Sequence, residues 1–450
     1  MDVLTLARLQ FSLTIAFHYI FPPVSIGLGL ILVFMEGTYL ATGRALYHEM
    51  TRFWVKIFGL LFAIGVASGI VMEFQFGTNW ATYSRFVGDV FGSALAAEGI
   101  FAFFLESGFL ALLLFGWDRV GPKMHFFSTV MVSLGSIFSA IWIIVANSWQ
   151  QTPAGHQIVE TASGKRAEVV SFVDVVLNPS TLDRLSHVLA GAFQTGAFLV
   201  VSVSAYYLIR KRHVEFAQAS FRIGLLVALI AAPLQLITGH SSAVGVSRTQ
   251  PAKLAAFEGH YENGVSGALH LFGWVNEREE RVQFSVAIPG MLSWLVSGDT
   301  QTPVMGLKAF KPEDRPPVNI VFQTYHAMVA IGLALIALSL LGAFYLWRGS
   351  LFRTTWLLWA FVFSVGLPQL ANQLGWMSAE IGRQPWIVYG LLRTRDAVSK
   401  VVGAGETLAS LILFAFVYVL LFALFIYLLD HKIKEGPLEE GPEPAGKEVL

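Results

Sequence analysis

A small set of ionisable and sulfur-containing side chains lies within or beside strongly apolar stretches of the sequence. Ionisable groups are costly at membrane depth, so each of these residues is a candidate functional residue. Imidazole, thioether and carboxylate groups are also side chains that bind metal ions. The positions are His18, Glu73, Glu98, Glu106, His187, His326, Met328 and Glu380.

The carboxyl groups of Glu98 and Glu106 belong to one apolar stretch and are eight positions apart. A helix would place them on neighbouring faces, about 12 Å apart along its axis. A buried carboxylate must be protonated, paired or bound to a metal. We expect the outer group, Glu98, to meet a cofactor and the deeper one, Glu106, to pass protons towards it. For His18 and Met328, the alternatives to binding a metal are an interfacial role for His18 and core packing for Met328.

The composition indicates that lipid is the solvent for most of the chain. The 450 residues are 55% hydrophobic and 13% charged, whereas soluble domains carry about 25% charged residues. Lys and Arg balance Asp and Glu, which argues against a nucleic-acid partner. Because the sequence has no Cys, any metal or cofactor must be held by His, Met or carboxylate groups.

The hydropathy pattern predicts an all-α integral membrane protein: nine transmembrane helices with a long external loop between helices 6 and 7. The apolar stretches are 11–34, 56–75, 94–115, 125–147, 185–208, 220–240, 322–346, 355–375 and 404–429. We therefore divide the chain into helices 1–6 (1–240), the external loop (241–321), helices 7–9 (322–429) and a disordered cytoplasmic tail (430–450).

Lys and Arg are denser in the loops after the odd-numbered helices. The positive-inside rule then places the N-terminus and the long loop outside and the C-terminus in the cytoplasm. In this arrangement most of the ionisable candidates and Met328 lie in the outer half of the membrane. Side chains that can bind iron, gathered at one depth of a helix bundle without Cys, indicate haems bound between the helices. A transporter without haem and a haem b quinone reductase are the alternatives.

Longer motifs make the sequence recognisable. They are RLQF at 8–11, MEFQFGTNW at 72–80, FFLES at 103–107, GWDR at 116–119, KLAA at 253–256 and GRQPW at 382–386. With them, nearly the whole chain resembles subunit I of the cytochrome bd-type quinol oxidases.

The resemblance implies a role for each haem-facing candidate. His187 and Met328 match the two axial ligands of the low-spin haem b558. His18 and Glu380 match the ligands of the high-spin pair, haem b595 and haem d or a third haem b. Trp376 matches an aromatic residue lying among the haems.

The resemblance also implies roles in proton transfer and quinol oxidation. Glu98 corresponds to an acidic residue beside the oxygen-reducing haem. Glu106 with Ser139 corresponds to a proton route from the cytoplasm, and Lys253 and Glu258 correspond to loop residues tied to quinol oxidation.

The basic residues Arg8 and Arg383 lie near the outer face, where they can pair with haem propionates or anchor the helices at the interface. Two features depart from longer family members. The loop is short, and His326 stands where those members have Arg.

The implied protein is a respiratory quinol:oxygen oxidoreductase of the bacterial cytoplasmic membrane. It would generate a proton motive force without a pump, because quinol oxidation and proton uptake for water formation take place on opposite sides. The implied partners are subunit II, small single-helix accessory subunits, membrane quinol and O2.

Overall fold

The computed structural model describes residues 1–162 and 164–437. Within these residues nine helical segments are long and apolar enough to cross a membrane, which confirms the predicted fold class. They are Val3–Thr42, Ala45–Thr78, Ala81–Phe115, Pro122–Gln151, Thr181–Ile209, Val214–Thr249, Pro312–Trp347, Thr355–Ile381 and Ala404–Glu435. The part of the predicted tail from residue 438 onwards lies outside the described residues.

Several spans are built from more than one helix, and short helices occur in the connections. The α-helices are α1 (Val3–His18), α2 (Phe21–Thr42), α3 (Ala45–Thr78), α4 (Ala81–Glu98), α5 (Phe104–Phe115), α6 (Pro122–Gln151), α7 (Phe172–Val176), α8 (Thr181–Ile209), α9 (Val214–Thr249), α10 (Pro251–Glu258), α11 (Met291–Ser297), α12 (Val318–Trp347), α13 (Thr355–Phe363), α14 (Leu367–Ile381) and α15 (Ala404–Glu435).

The strands form four antiparallel pairs outside these helices. The pairs are β1–β2 (His156–Thr161 and Gly164–Val169), β3–β6 (Val265–Ser266 and Pro303–Val304), β4–β5 (Leu269–Asn276 and Arg281–Ile288) and β7–β8 (Trp386–Val388 and Leu392–Arg393).

The first span is broken where two prolines follow a helix end. α1 ends at His18 and α2 begins at Phe21, with Pro22 and Pro23 in its first turn. Proline fits the first turn of a helix but cannot continue one, because it lacks a backbone N–H. The break leaves His18 at the C-terminal end of α1.

The third span contains a π-helical turn. Gly99–Phe103 adopts this wider turn between α4 and α5, directly after Glu98 and three residues before Glu106. A π turn rotates less per residue than an α turn, and such turns often mark functional sites. The relative direction of the two carboxyl groups therefore differs from that of a regular helix.

Helix ends elsewhere extend beyond the hydropathy boundaries. α9 continues to Thr249, through the first residues assigned to the loop, and α12 begins at Val318. The sequence predicts that Glu380 lies just past the end of the eighth span. α14 instead continues to Ile381, so Glu380 lies in its last turn. α15 continues to Glu435, into the segment predicted as a tail.

The bundle is organised around α8, the most deeply buried of the described spans. It packs against α2, α9, α13, α6 and α14. Gly27 of α2 and Gly196 of α8 meet, and a methyl group on Gly196 would lie 2.4 Å from the carbonyl carbon of Gly27. Such close backbone approach through small residues is typical of packing between membrane helices.

Candidate functional site

A partly buried cluster of charged groups surrounds Glu380 at the loop end of the bundle. Its Oε2 lies 2.5 Å from a guanidinium nitrogen of Arg383 and its Oε1 lies 3.8 Å from one of Arg184. Oε1 also accepts hydrogen bonds from Gln151 Nε2 (3.0 Å) and Asn147 Nδ2 (3.2 Å). The cluster thus joins the ends of α14, α6 and α8.

The cluster has more basic groups than carboxylates. Lys253 of α10 donates from Nζ to Gln151 Oε1 at 2.5 Å, which adds a third basic side chain. Nε of Arg184 is buried and has no hydrogen-bond partner among the described residues. An excess of donors and positive charge around a single carboxylate suits the binding of further carboxylates.

Burial also acts on Lys253, which lies outside the membrane-spanning segments. Desolvation, reinforced by the charge of Arg184, holds the pKa of this ammonium well below its usual range, against the opposing effect of Glu380. The side chain is only 3% exposed, so it readily gives up its proton.

His18 ends α1 with its ring against α3. Its Nδ1 lies 3.0 Å from Ser68 Oγ, and a methyl group on the adjacent Gly69 would lie 3.2 Å from its Cε1. Because the hydroxyl partner orients the ring through Nδ1, a metal would bind Nε2.

His187 of α8 has the same arrangement with α9. Nδ1 lies 3.1 Å from Thr238 Oγ1, and Nε2 lies 3.1 Å from Gln235 Nε2. An amide nitrogen only donates, so in this orientation Nε2 accepts and carries the lone pair through which an imidazole can bind a metal. A methyl group on Gly239 would lie 3.1 Å from the ring.

Met328 lies on α12 and faces α14. A methyl group on Gly375 would lie 2.8 Å from its sulfur, so a side chain at 375 would force the Met328 sulfur to move. α14 also packs against α8, the helix that carries His187. Glycine thus lies beside three candidate ligands, which lets flat groups approach the helix backbones closely.

Trp376 connects the surroundings of His18 with those of His187. Its ring makes an edge contact with Tyr19, the residue after His18, at 5.4 Å between centroids. The guanidinium of Arg184, three residues before His187, lies 5.5 Å from the Trp376 ring centroid. Arg8 is exposed and donates to Gln384 Oε1.

The two carboxyl groups of the third span both face α6. Ser139 Oγ donates to Glu98 Oε1 at 2.8 Å, and Ser136 Oγ donates to Glu106 Oε1. Ser139 therefore pairs with Glu98, and Ser136 pairs with Glu106; the proton route through Glu106 and Ser139 that the resemblance implies stays a prediction. The π turn explains why both carboxyl groups face α6, because its smaller rotation brings them to one side of the span.

The loop residues Lys253 and Glu258 point in different directions from α10. Lys253 faces the Glu380 cluster, whereas the charge of Glu258 acts on Tyr325 of α12. Burial raises the pKa of Glu258 to about 8, and its Oε2 has no hydrogen-bond partner among the described residues. A small cavity lined by Gln151, Asp183, Arg184, Gln250 and Lys253 lies on the Lys253 side.

His326 connects α12 with β4. Its Nε2 lies 2.7 Å from the carbonyl oxygen of His270 and its Nδ1 lies 2.9 Å from that of Phe322. Glu73 lies near enough to Glu98 for their charges to interact.

Several residues of the site are absent from the sequence prediction. Arg184 is not singled out there, although its position one turn before His187 is a usable signal. Hydropathy carries no signal for the polar partners of the candidate ligands and carboxylates, which are Ser68, Ser136, Asn147, Gln151, Gln235 and Thr238.

The fold and this donor set define a helical membrane protein with His, Met and carboxylate side chains gathered between its helices. A family model for cytochrome bd terminal oxidase subunit I matches residues 6–437. The chain belongs to this family.

Individual relatives agree with this assignment. The chain is 40% identical over 446 residues to cytochrome bd ubiquinol oxidase subunit 1 of Bacillus subtilis (strain 168), covering 97% of this chain and 94% of the relative. It is 35% identical over 503 residues to cytochrome bd-II ubiquinol oxidase subunit 1 of Escherichia coli (strain K12), covering 97% of each. A chain of the bd oxidase structure from Geobacillus thermodenitrificans superposes with a TM-score of 0.89 at 27% identity, covering 97% of this chain and 99% of that one.

Proposed function

We propose that this protein is the haem-carrying subunit of a respiratory terminal oxidase that oxidises membrane quinol and reduces O2 to water. The observation that carries the proposal is the charged cluster around Glu380. Its surplus of buried donors adjoins the helices that carry His187 and His18, in a chain matched by this family along nearly its whole length.

The candidate ligands fit haem. His187 and Met328 would hold the low-spin haem b558, which would supply electron transfer. His18 and Glu380 would serve the high-spin pair, haem b595 and haem d or a third haem b. When bound, the haems supply one-electron transfer and the reduction of O2.

The cationic groups would neutralise the haem propionates. Arg184 and Arg383 are placed for this role by their burial beside Glu380, and Arg184 has an unused Nε. Arg8 lies at the outer edge, where it binds Gln384. Trp376 would hold the space between the His18 and His187 sites.

Quinol would be oxidised at the loop. A quinol that loses two electrons also loses two protons, so the site needs groups that accept them. Lys253 and Glu258 are both buried and both biased towards their uncharged forms. Neutral Lys253 and ionised Glu258 can each accept a proton from quinol. Burial makes Lys253 release its proton again, whereas Glu258 is uncharged while it holds one.

Protons for water formation would reach the oxygen-reducing site past Glu106 and Glu98. Their hydroxyl partners Ser136 and Ser139 follow one another on α6. Protons released at the loop and taken up at the other side move charge across the membrane, so no separate pump is needed.

The enzyme would lie in the bacterial cytoplasmic membrane with its N-terminus and the loop outside and its C-terminus in the cytoplasm. Subunit II would be its membrane partner, and small single-helix subunits would be accessory. If the nine spans alternate in direction, the loop after the sixth span and the connection after the first would lie on opposite sides of the membrane.

An absorption spectrum of the purified two-subunit enzyme tests this function. We expect reduced-minus-oxidised haem bands, oxygen-dependent shifts in them, and O2 consumption driven by quinol. A preparation without a Soret band would favour a transporter, and b-type bands without ligand-induced shifts would favour a quinone reductase.

A further inference from the structure

A buried acid–imidazole pair lies far from the candidate haem ligands, between α2 and α6. Glu36 Oε1 lies 2.6 Å from His125 Nδ1, and the two side chains are 4% and 3% exposed. Thr129 Oγ1 donates to the other carboxyl oxygen of Glu36. His125 Nε2 lies 3.2 Å from the carbonyl oxygen of Leu113.

These contacts are satisfied with the shared proton on either residue. The Leu113 carbonyl requires an N–H at His125 Nε2, and the Thr129 hydroxyl can keep its bond to Glu36 Oε2. With these contacts in place, the proton between Nδ1 and Oε1 can lie on either atom, giving imidazolium with carboxylate or neutral imidazole with carboxylic acid. This shift moves a proton from His125 to Glu36 without any change in the net charge of the pair.

The pair lies near the bundle end opposite the loop. Glu36 is within the last two turns of α2, and His125 is in the first turn of α6. The Trp117 ring lies 3.9 Å from the His125 ring and 5.2 Å from the half-buried His48 ring. One aromatic layer therefore separates the buried pair from the surface of the bundle.

A row of hydroxyl groups leads from the pair along α6 to the carboxylates of the third span. Spacings of three and four residues put His125, Thr129, Ser133, Ser136 and Ser139 on one face of the helix. The first four are buried. Ser136 and Ser139 donate to Glu106 and Glu98.

We propose that Glu36, His125 and Thr129 form the entrance through which protons reach Glu106. This inference rests on the proposed function, in which Glu106 carries protons for water formation. His125 passes its Nδ1 proton to Glu36, the resulting carboxylic acid turns and gives this proton to the Thr129 hydroxyl, and Thr129 releases its own proton towards Ser133 and, through water, towards Ser136. The neutral His125 ring then turns its free Nδ1 towards the surface, takes up a new proton there and returns to Glu36. Each proton taken up at the surface is matched by one delivered to Glu106, so no charge accumulates on the pair.

A purely structural role would make the same residues a polar contact that holds α2 against α6. Ser and Thr hydroxyls commonly join membrane helices in this way. The two roles differ in what a substitution changes: loss of a contact alters assembly and haem retention, whereas loss of a relay slows turnover in a correctly assembled enzyme.

The test uses the two-subunit holoenzyme with Glu36→Gln, Glu36→Asp, Thr129→Val and Thr129→Ser. Ser128→Ala is the matched control, because Ser128 is buried beside Thr129 but its hydroxyl bonds to the carbonyl of Met124 on its own helix. The measurements are haem content, quinol-driven O2 consumption, its solvent deuterium isotope effect, and proton uptake from the interior of reconstituted vesicles.

We expect Glu36→Gln and Thr129→Val to slow O2 consumption and proton uptake by at least about tenfold. This is a conservative bound, because groups that transfer protons typically contribute about 10²- to 10⁴-fold to a rate. Haem content and the rate of haem reduction by quinol stay normal, and the isotope effect rises. Glu36→Asp and Thr129→Ser restore much of the rate, and Ser128→Ala is normal.

The proposal is overturned if Glu106→Gln is slow while Thr129→Val and any assembled Glu36→Gln enzyme turn over normally. It is also overturned if both variants lose haem in proportion to activity, because the pair is then structural. Absence of quinol-driven O2 consumption in the unaltered holoenzyme would instead contradict the proposed function itself.

Discussion

Glu258 provides the most quantitative prediction, because its expected effect depends on pH. Its carboxyl is 2% exposed, and burial raises its pKa to about 8. If quinol oxidation needs the ionised carboxylate as proton acceptor, about a tenth of the enzyme is competent at about pH 7, and the fraction falls about tenfold for each lower pH unit.

The sign follows from the direction of the pKa shift. Raising the pH ionises Glu258, so the rate of quinol oxidation should rise from about pH 6 to about pH 8 and level off above it. Glu258→Gln keeps the size and polarity of the side chain but cannot accept the proton. It should give a low rate without this rise.

The assay is O2 consumption by the two-subunit enzyme at saturating quinol across this pH range. An artificial donor that feeds electrons directly to the haems should support equal rates in both proteins. Glu262→Gln is the matched control, because Glu262 is an exposed loop carboxyl that pairs with Lys308. An unchanged pH profile in Glu258→Gln, or equal losses with both donors, would refute the reasoning.

Three further predictions concern the ligands and the proton route. Met328→Leu should abolish the low-spin haem signal while oxygen-binding spectra persist, and an unchanged reduced-minus-oxidised α band would contradict its role as ligand. Gly375→Ala places a methyl group 2.8 Å from the Met328 sulfur. The same α band should therefore shift, and the free energy of unfolding should fall by about 1–3 kcal/mol. Identical spectra and an identical melting temperature would show that the sulfur does not lie against Gly375. Glu106→Gln should slow O2 consumption per haem by at least about tenfold while resting spectra stay normal, and normal turnover would exclude it from the proton route.

The number and order of the membrane spans follow from the sequence by itself. Partition between lipid and water depends on the composition of each stretch of about 20 residues, so it can be read without knowing the neighbours. The confirmed family assignment likewise follows from contiguous motifs such as MEFQFGTNW and GRQPW. The same reading selects the donors His18, His187, Met328 and Glu380, whose roles as haem ligands stay predictions.

Helix ends and local irregularities of the helices are harder to predict from the sequence. The extension of α14 to Ile381 places Glu380 within the helix, and the π turn after Glu98 determines which serine meets each glutamate. Both depend on backbone hydrogen bonding over a few residues, which average hydropathy does not register.

Pairings between helices were decided only by the tertiary structure. Glu36 lies beyond the predicted end of the first span and His125 opens the fourth, yet α2 and α6 bring them to 2.6 Å. Arg184 and Glu380 meet from opposite parts of the chain, and Lys253 and Glu258 turn to different sides of α10. These pairings depend on how each helix is rotated about its axis and on which helix lies next to it. In soluble proteins the amphipathic pattern of a helix indicates this rotation, but the pattern is weak in spans surrounded by lipid.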